Sequence, residues 1–389
     1  VGPPFDLDSS SLQSRVFSDP DIYRRELDGI FRRSWLFVAP ETWLTQPRAF
    51  VTTRMGEDEV FLWRGDDDVL RAFINRCVAG HQTLVRSSRG SADSLICGCH
   101  GWRYDNVGWC VDFPIRGLAR VPQVEVFKGL VFANHDPDAH PLTASLGDFA
   151  WYLDLLLNEV GGIEAYGEDA LRWTVETNWK VPAQEFCGDM YRQRMADMEL
   201  RLLFNDACPT VCEEGFQVFT EGGAMAILTG ENAPVRTSVK SLLGPPRESF
   251  APAIGTLFPT LSFDWRYPSF HVWHPLGPSA TEINSFCMVA RDSSPEAKES
   301  ARRTFQRQYG PAGLRSQADA ARWSSTTAQA SRSRNLMLNL QMGAGRERGA
   351  NVPGRVGDLF SECNQRAFFA WWQRELEIPS QRQTQWLHN

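Results

Sequence analysis

Residues 96–108 read ICGCHGWRYDNVG. A short apolar run enters the stretch, and its glycine-bounded centre reads as a turn between two strands. Cys97 and His100 stand across that turn in the spacing Cys-x2-His. A thiolate and an imidazole so placed suit one loop of a mixed cysteine and histidine metal site, with a second loop needed to face it. Cys77, in NRCVAGHQTL at 75–84, lies 20 residues upstream and can supply the second loop. From about 38 to 135 the chain shows short runs rich in Val, Phe and Ile, broken by Gly and Asp. That pattern predicts antiparallel β-structure with tight turns around the two loops, ending in the strand GLVFANHD at 129–136.

Before this block, FSDPDIYRRELDGIFRRSWLF at 17–37 predicts a helix. Asp19 can cap it, Pro20 suits its first position, and Ile22, Leu27, Ile30 and Phe31 mark its apolar stripe. After the block, LGDFAWYLDLLLNEVGG at 146–162 returns to helical periodicity and ends at Gly161, a reasonable C-cap. We expect a domain boundary there. The second half mixes strands, such as FQVFTEGGAMAILTG and SFHVWHPLGPSATEINSFCMVAR, with the helices SPEAKESARRTFQRQYG and SECNQRAFFAWWQRELE. Strands in runs with helices gathered around them predict an α+β fold rather than a doubly wound sheet. The expected division is an N-terminal helical segment at 1–37 packing on the larger domain, a smaller antiparallel β domain at 38–145, and a helix-flanked antiparallel-sheet domain at 146–389. No internal repeat, dinucleotide fingerprint or phosphate-loop glycine pattern is present.

Fourteen Trp and 24 Phe imply large aromatic cores, and the 389 residues leave room for two domains. The formal charge of −7 argues against nucleic acid as a partner, because phosphate binding needs a basic face. No apolar run reaches the roughly 20 residues a bilayer span requires, so no membrane partner is expected. The start, VGPPFDLDSSSLQ, lacks the basic-then-apolar layout of a signal peptide. The expected location is cytoplasmic, with the nine cysteines, Cys208 and Cys212 among them, as reduced thiols.

Several motifs in order carry a family resemblance: VFSDPDIYRRELDGIFRRSWLF, CGCHGWRYD, VEVFKGLVFAN, WTVETNWKVPAQEFCGDMY, GTLFPTLSF, WHPLGP and YGPAG. Through them the chain resembles the α subunit of Rieske non-haem iron, aromatic ring-hydroxylating oxygenases. The resemblance implies a Rieske-like [2Fe-2S] domain followed by a catalytic-domain-like one. In that family a Cys-x-His loop and a Cys-x2-His loop hold the cluster, the two Cys on one iron and the two His on the other. Cys77, Cys97 and His100 match three of the four ligands, and Ala79 stands at the fourth. Three readings follow: no cluster, a [2Fe-2S] cluster with His81 or Cys99 as replacement ligand, or zinc held by some of these residues.

The family's mononuclear iron is held by two His and one carboxylate. The motif Asp-x2-His-x4-His falls here on Asp189, Arg192 and Asp197, and the third ligand falls on Asp319, with Ala318 replacing a neighbouring acid. A guanidinium has no lone pair to give a metal. We expect no mononuclear iron, and Arg192 as the positive charge that closes the old pocket, with Glu185, Asp189, Asp197 and Asp319 as its partners. Asp189, the family's electron-bridging position, is expected to be structural. Of the seven histidines, His271 and His274 sit three apart on a predicted strand, so they face opposite ways and replace no ligand pair.

The expected function is a non-catalytic α-like subunit that assembles with a catalytic α chain in a trimer or hexamer, with a ferredoxin serving the complex. The alternatives are an active oxygenase with altered ligation, hydroxylating an aromatic or polycyclic substrate, and a module that binds an apolar ligand without chemistry.

Overall fold

Asp19 begins the first helix as its chemistry predicts. Its carboxylate accepts from the amides of Asp21 and Ile22, and Pro20 opens the helix α1 (Pro20–Glu26). Such a cap contributes about 1 kcal/mol. The structure, a computed structural model, describes residues 3–80, 82–113, 117–158, 162–167, 169–204, 214–230 and 249–377. His81, Gly161, Cys208, Cys212 and His388 lie outside the described residues. The predicted 17–37 helix is shorter than expected. It passes through a π turn at Leu27–Phe31, and by Leu36 the chain is a strand. Leu36–Pro40 is buried along its whole length and pairs with Leu130–Asn134. A continuous apolar run buried on both faces gains more from a sheet than from extending an amphipathic helix.

The first half is antiparallel. One sheet orders Arg120–Val121, Leu70–Ile74, Asp58–Arg64, Ala49–Met55 and Arg89–Ser91, and a second orders Gln123–Phe127, Leu130–Asn134 and Leu36–Pro40. A separate hairpin, Ser94–Ile96 with Arg103–Asp105, carries Cys97 to His100 in its loop. Leu142–Leu146 (α2) and Phe149–Leu157 (α3) follow, so the predicted 146–162 helix breaks at Gly147, whose φ of +49° suits glycine.

The second half is built on one long antiparallel sheet. Its order is Ile163–Ala165, Ala280–Ala290, Ser269–Gly277, Leu261–Asp264, Ala251–Leu257, Gly223–Leu228, Gly215–Phe219, Val352–Asp358 and Arg348–Ala350, with Leu171–Val175 also on Ala280–Ala290. Helices α4 (Lys180–Phe186), α5 (Met190–Phe204), α6 (Pro295–Tyr309), α7 (Leu314–Arg332) and α8 (Cys363–Glu377) flank it. Every residue of α4 is buried. An aromatic core of Trp179, Phe186, Trp273, Trp323, Phe368 and Trp372 fills the space between these helices and the sheet. Together these layers make the expected α+β architecture. No helix among the described residues is long and apolar enough to cross a membrane.

The N-terminal segment is tied to the second half. Glu26, fully buried at the end of α1, accepts from the indole nitrogens of Trp179 (2.8 Å) and Trp372 (2.7 Å) and pairs with the buried Lys180. Phe5 and Phe17 meet Phe369, and Phe31 meets Trp179.

Candidate functional site

The link between α4 and α5 sets the geometry of the first candidate site. Gly188 has a φ of +126°, and a side chain there would meet the backbone of Ala226 at 3.0 Å. Only glycine lets this turn press so closely on the sheet. Asp189 follows and caps α5, its Oδ1 accepting from the Arg192 amide at 3.0 Å. Burial pushes the Asp189 carboxyl up to about 6, against the opposing pull of the Arg192 amide and guanidinium.

The positions that the resemblance assigns to iron ligands lie in a network of buried carboxylates and guanidiniums. Glu185, fully buried on α4, accepts from Arg322 and from the Trp323 indole (2.8 Å). Arg322 also binds Asp319 at 2.7 Å. Asp197 on α5 pairs with Arg315, and with Arg266 at 3.6 Å. Gln193 Oε1 accepts from both Arg315 (2.8 Å) and Arg266 (2.9 Å). Arg266 then grips Asp264 with two bonds (2.9 and 2.7 Å), and Tyr309 donates to Asp264 at 2.7 Å. Burial pushes Asp319 up to about 6, aided by Glu185 nearby. Burial also brings Arg315 down to about 10. Charges this deep are stable only with partners at hand.

Arg192 corrects one expectation. Its side chain is 41% exposed and reaches only the edge of this network, Glu185 at 3.6 Å and Asp189 at 3.3 Å. The arginine at the centre is Arg315, 1% exposed and 5.1 Å from the Tyr267 ring. The reason is the short path from α7, whose inward face carries Arg315, Asp319, Trp323 and Thr327 at helical spacing. Arg266, Arg315, Arg322 and Asp264 were missed in the sequence reading. Arg315 and Arg322 stand four before and three after Asp319, which places all three on one helix face. That spacing is a usable signal.

These residues do not fit a mononuclear iron. Arg192 has no lone pair to offer, and the carboxylates of Asp197 and Asp319 are already engaged by guanidiniums. His271 and His274 offer no substitute. His271 is buried between the hydroxyls of Ser269 (2.9 Å) and Ser285 (2.8 Å). Burial holds both rings neutral, their pKa values pushed down to about 3.

The second candidate site lies between the loops of the first half. Asn75 clamps the loop after Leu70–Ile74 through two bonds to the backbone of Val85 (2.7 and 2.8 Å). Cys77, on that loop, is fully buried. Cys97 and His100 come from the hairpin turn, which closes through Cys97 N–H to Trp102 O (2.9 Å) and Gly101 N–H to Cys97 O (2.8 Å). His100 Nδ1 lies 3.4 Å from Cys97 Sγ and 3.9 Å from Cys77 Sγ. Cys77, Cys97 and His100 are the only group of three or more His, Cys, Asp or Glu among the described residues whose donor atoms, within 4.8 Å of one another, could hold a metal ion. Burial pushes the Cys97 thiol up, but bonds from Cys99 N–H, His100 and Cys77 outweigh it and bring it to about 7. Tyr104 places its hydroxyl 3.2 Å from Cys77 Sγ. Ala79, at the missing ligand position, packs on the apolar cluster around Phe61, Trp63 and Phe73. Cys99 is exposed and outside the ligand group.

This fold and these two loops define a class. Residues 34–125 match the family model for the Rieske [2Fe-2S] domain, and residues 150–377 match the model for the ring hydroxylating alpha subunit catalytic domain. The chain belongs to the family of ring-hydroxylating oxygenase α subunits. Among its relatives is the biphenyl dioxygenase subunit alpha of Metapseudomonas furukawaii, 30% identical with 96% of this chain and 93% of that one aligned. A benzene 1,2-dioxygenase subunit alpha of Pseudomonas putida is 28% identical over the same shares. The structure of naphthalene 1,2-dioxygenase from Rhodococcus sp. bound to indole superimposes with a TM-score of 0.86 at 27% identity, covering 96% of this chain and 97% of that one.

Proposed function

We propose that this chain is a non-catalytic α-like subunit, a structural and assembly partner of a catalytic α subunit in a ring-hydroxylating oxygenase. One observation carries the reading: the iron-ligand positions are charge-paired to arginines inside an otherwise retained fold. Asp197 with Arg315 and Asp319 with Arg322 form ion pairs at buried carboxylates, and Arg192 replaces a ligand outright. Displacing the Arg315 guanidinium to seat a cation would leave a buried arginine unpaired, at about 3–5 kcal/mol.

An exposed stripe on α5 supports the assembly role. Tyr191, Met195 and Met198 are 51%, 47% and 47% exposed and sit at i, i+4 and i+7, on one face of the helix. The partner is a catalytic α chain, and a ferredoxin would deliver electrons to that chain. The relatives' names point to an aromatic hydrocarbon as the complex's substrate.

The test is spectroscopic. The purified chain is given Fe²⁺ anaerobically and then nitric oxide. No high-spin iron–nitrosyl EPR signal is expected, whereas a stoichiometric signal would sink the reading.

A further inference from the structure

We propose that Cys77, Cys97 and His100 form a site for a single soft divalent cation, Zn²⁺, in place of a two-iron cluster. The spacing of the donors carries the inference. In a tetrahedral site, metal–sulfur bonds of about 2.3 Å and metal–nitrogen bonds of about 2.1 Å put sulfur and nitrogen about 3.6 Å apart. The two observed separations, 3.4 and 3.9 Å, bracket that edge. In a Rieske cluster the thiolates and imidazoles bind different irons, so the cluster itself stands between sulfur and nitrogen. Here both sulfurs lie within 3.9 Å of the imidazole Nδ1, and all three donors lie within 4.8 Å of one another.

Three further observations agree. Ala79 removes the second imidazole and turns its methyl group into the apolar cluster. Gly80 brings the Cys77 loop against the imidazole, so closely that a β-carbon there would lie 2.5 Å from His100 Cε1. That approach suits one ion rather than a cluster held between the loops. The outer shell of a thiolate site is also present: Tyr104 hydroxyl can donate to Cys77 Sγ at 3.2 Å, and Asn75 fixes the loop that carries it. Two thiolates and one imidazole are a donor set that zinc accepts, and binding releases the thiol protons.

This inference stands apart from the non-catalytic reading, which concerns the arginine-filled site. Iron bound there would overturn that reading and leave this one untouched. The full chain is purified, assayed for zinc, iron and acid-labile sulfide, then freed of metal and titrated with Co²⁺. The expected result is one zinc per chain without sulfide, and intense cobalt bands of a tetrahedral thiolate site. Cys77→Ser, Cys97→Ser and His100→Ala each remove those bands, while Cys99→Ser keeps them. Tyr104→Phe, which leaves every donor in place, weakens cobalt binding roughly 10–100-fold. Iron with matching sulfide and a Rieske-type EPR signal would overturn the proposal. So would loss of the bands in Cys99→Ser, unaltered binding in the ligand variants or in Tyr104→Phe, or a metal-free chain that takes up no cobalt.

Discussion

Asp197 and Arg315 meet with 5% and 1% of their side chains exposed. Removing one member of such a pair leaves the other charged in a poor solvent. Arg315→Met is therefore expected to destabilise the chain by about 3–5 kcal/mol in urea titrations. The double change Asp197→Leu with Arg315→Met should recover most of that loss, because two apolar groups replace two paired charges. Asp189 gives a second residue-scale expectation. Its pKa rises from the ordinary 3.8 to about 6 on folding, so the folded state binds the proton more tightly. The cost of its charge is absent below about pH 4 and complete above about pH 6. Asp189→Asn mimics the protonated form and keeps a capping oxygen. Its stability relative to the unaltered chain should improve by about 1–3 kcal/mol between about pH 4 and pH 8. A flat difference across that range would show that Asp189 titrates normally.

Elements are joined by the same chemistry. Glu26 at the end of α1 holds Lys180 and Trp179 at the start of α4 and Trp372 on α8. One carboxylate thus ties three elements that are far apart in the chain. Glu26→Gln leaves the Lys180 ammonium buried without its counter-charge and should cost about 3–5 kcal/mol. Hydrogen exchange should then rise in α1 and α4 together, while the hairpin of the metal loops keeps its protection. Glu26→Gln combined with Lys180→Met should restore much of the stability. At this scale the helix starts were legible: Asp19 and Pro20 mark α1, and Ser294 with a proline in the first turn marks α6. Helix ends were less so. The strand at Leu36 exists because Leu130–Asn134 lies beside it, its paired residues 90 or more positions away, which no local pattern reveals.

For the whole molecule, the exposed Tyr191, Met195 and Met198 stripe shares one helix, α5, with Arg192 and Asp197. Expressed alone, the chain should be poorly soluble or aggregate through exposed apolar surface. Co-expressed with a catalytic α subunit, it should run as a defined hetero-oligomer in native mass spectrometry. A monodisperse homotrimer would count against the assembly role.

The motifs by themselves pointed to the stretches that carry the two candidate sites and to some of their residues, Cys77, Cys97, His100, Asp197 and Asp319 among them, but not to Arg266, Arg315, Arg322 or Asp264. Thiol and imidazole spacing stands on a local turn, so Cys97 and His100 announce themselves, and Arg192 stands out at a position where the resemblance implies a ligand. What only the tertiary structure decided is how charge is balanced. Arg315 and Arg266 reach Asp197 on α5 from separate elements, and Arg322 on α7 reaches Glu185 on α4. An ion pair in a low-dielectric core depends on distances across the fold, which spacing along the chain does not encode.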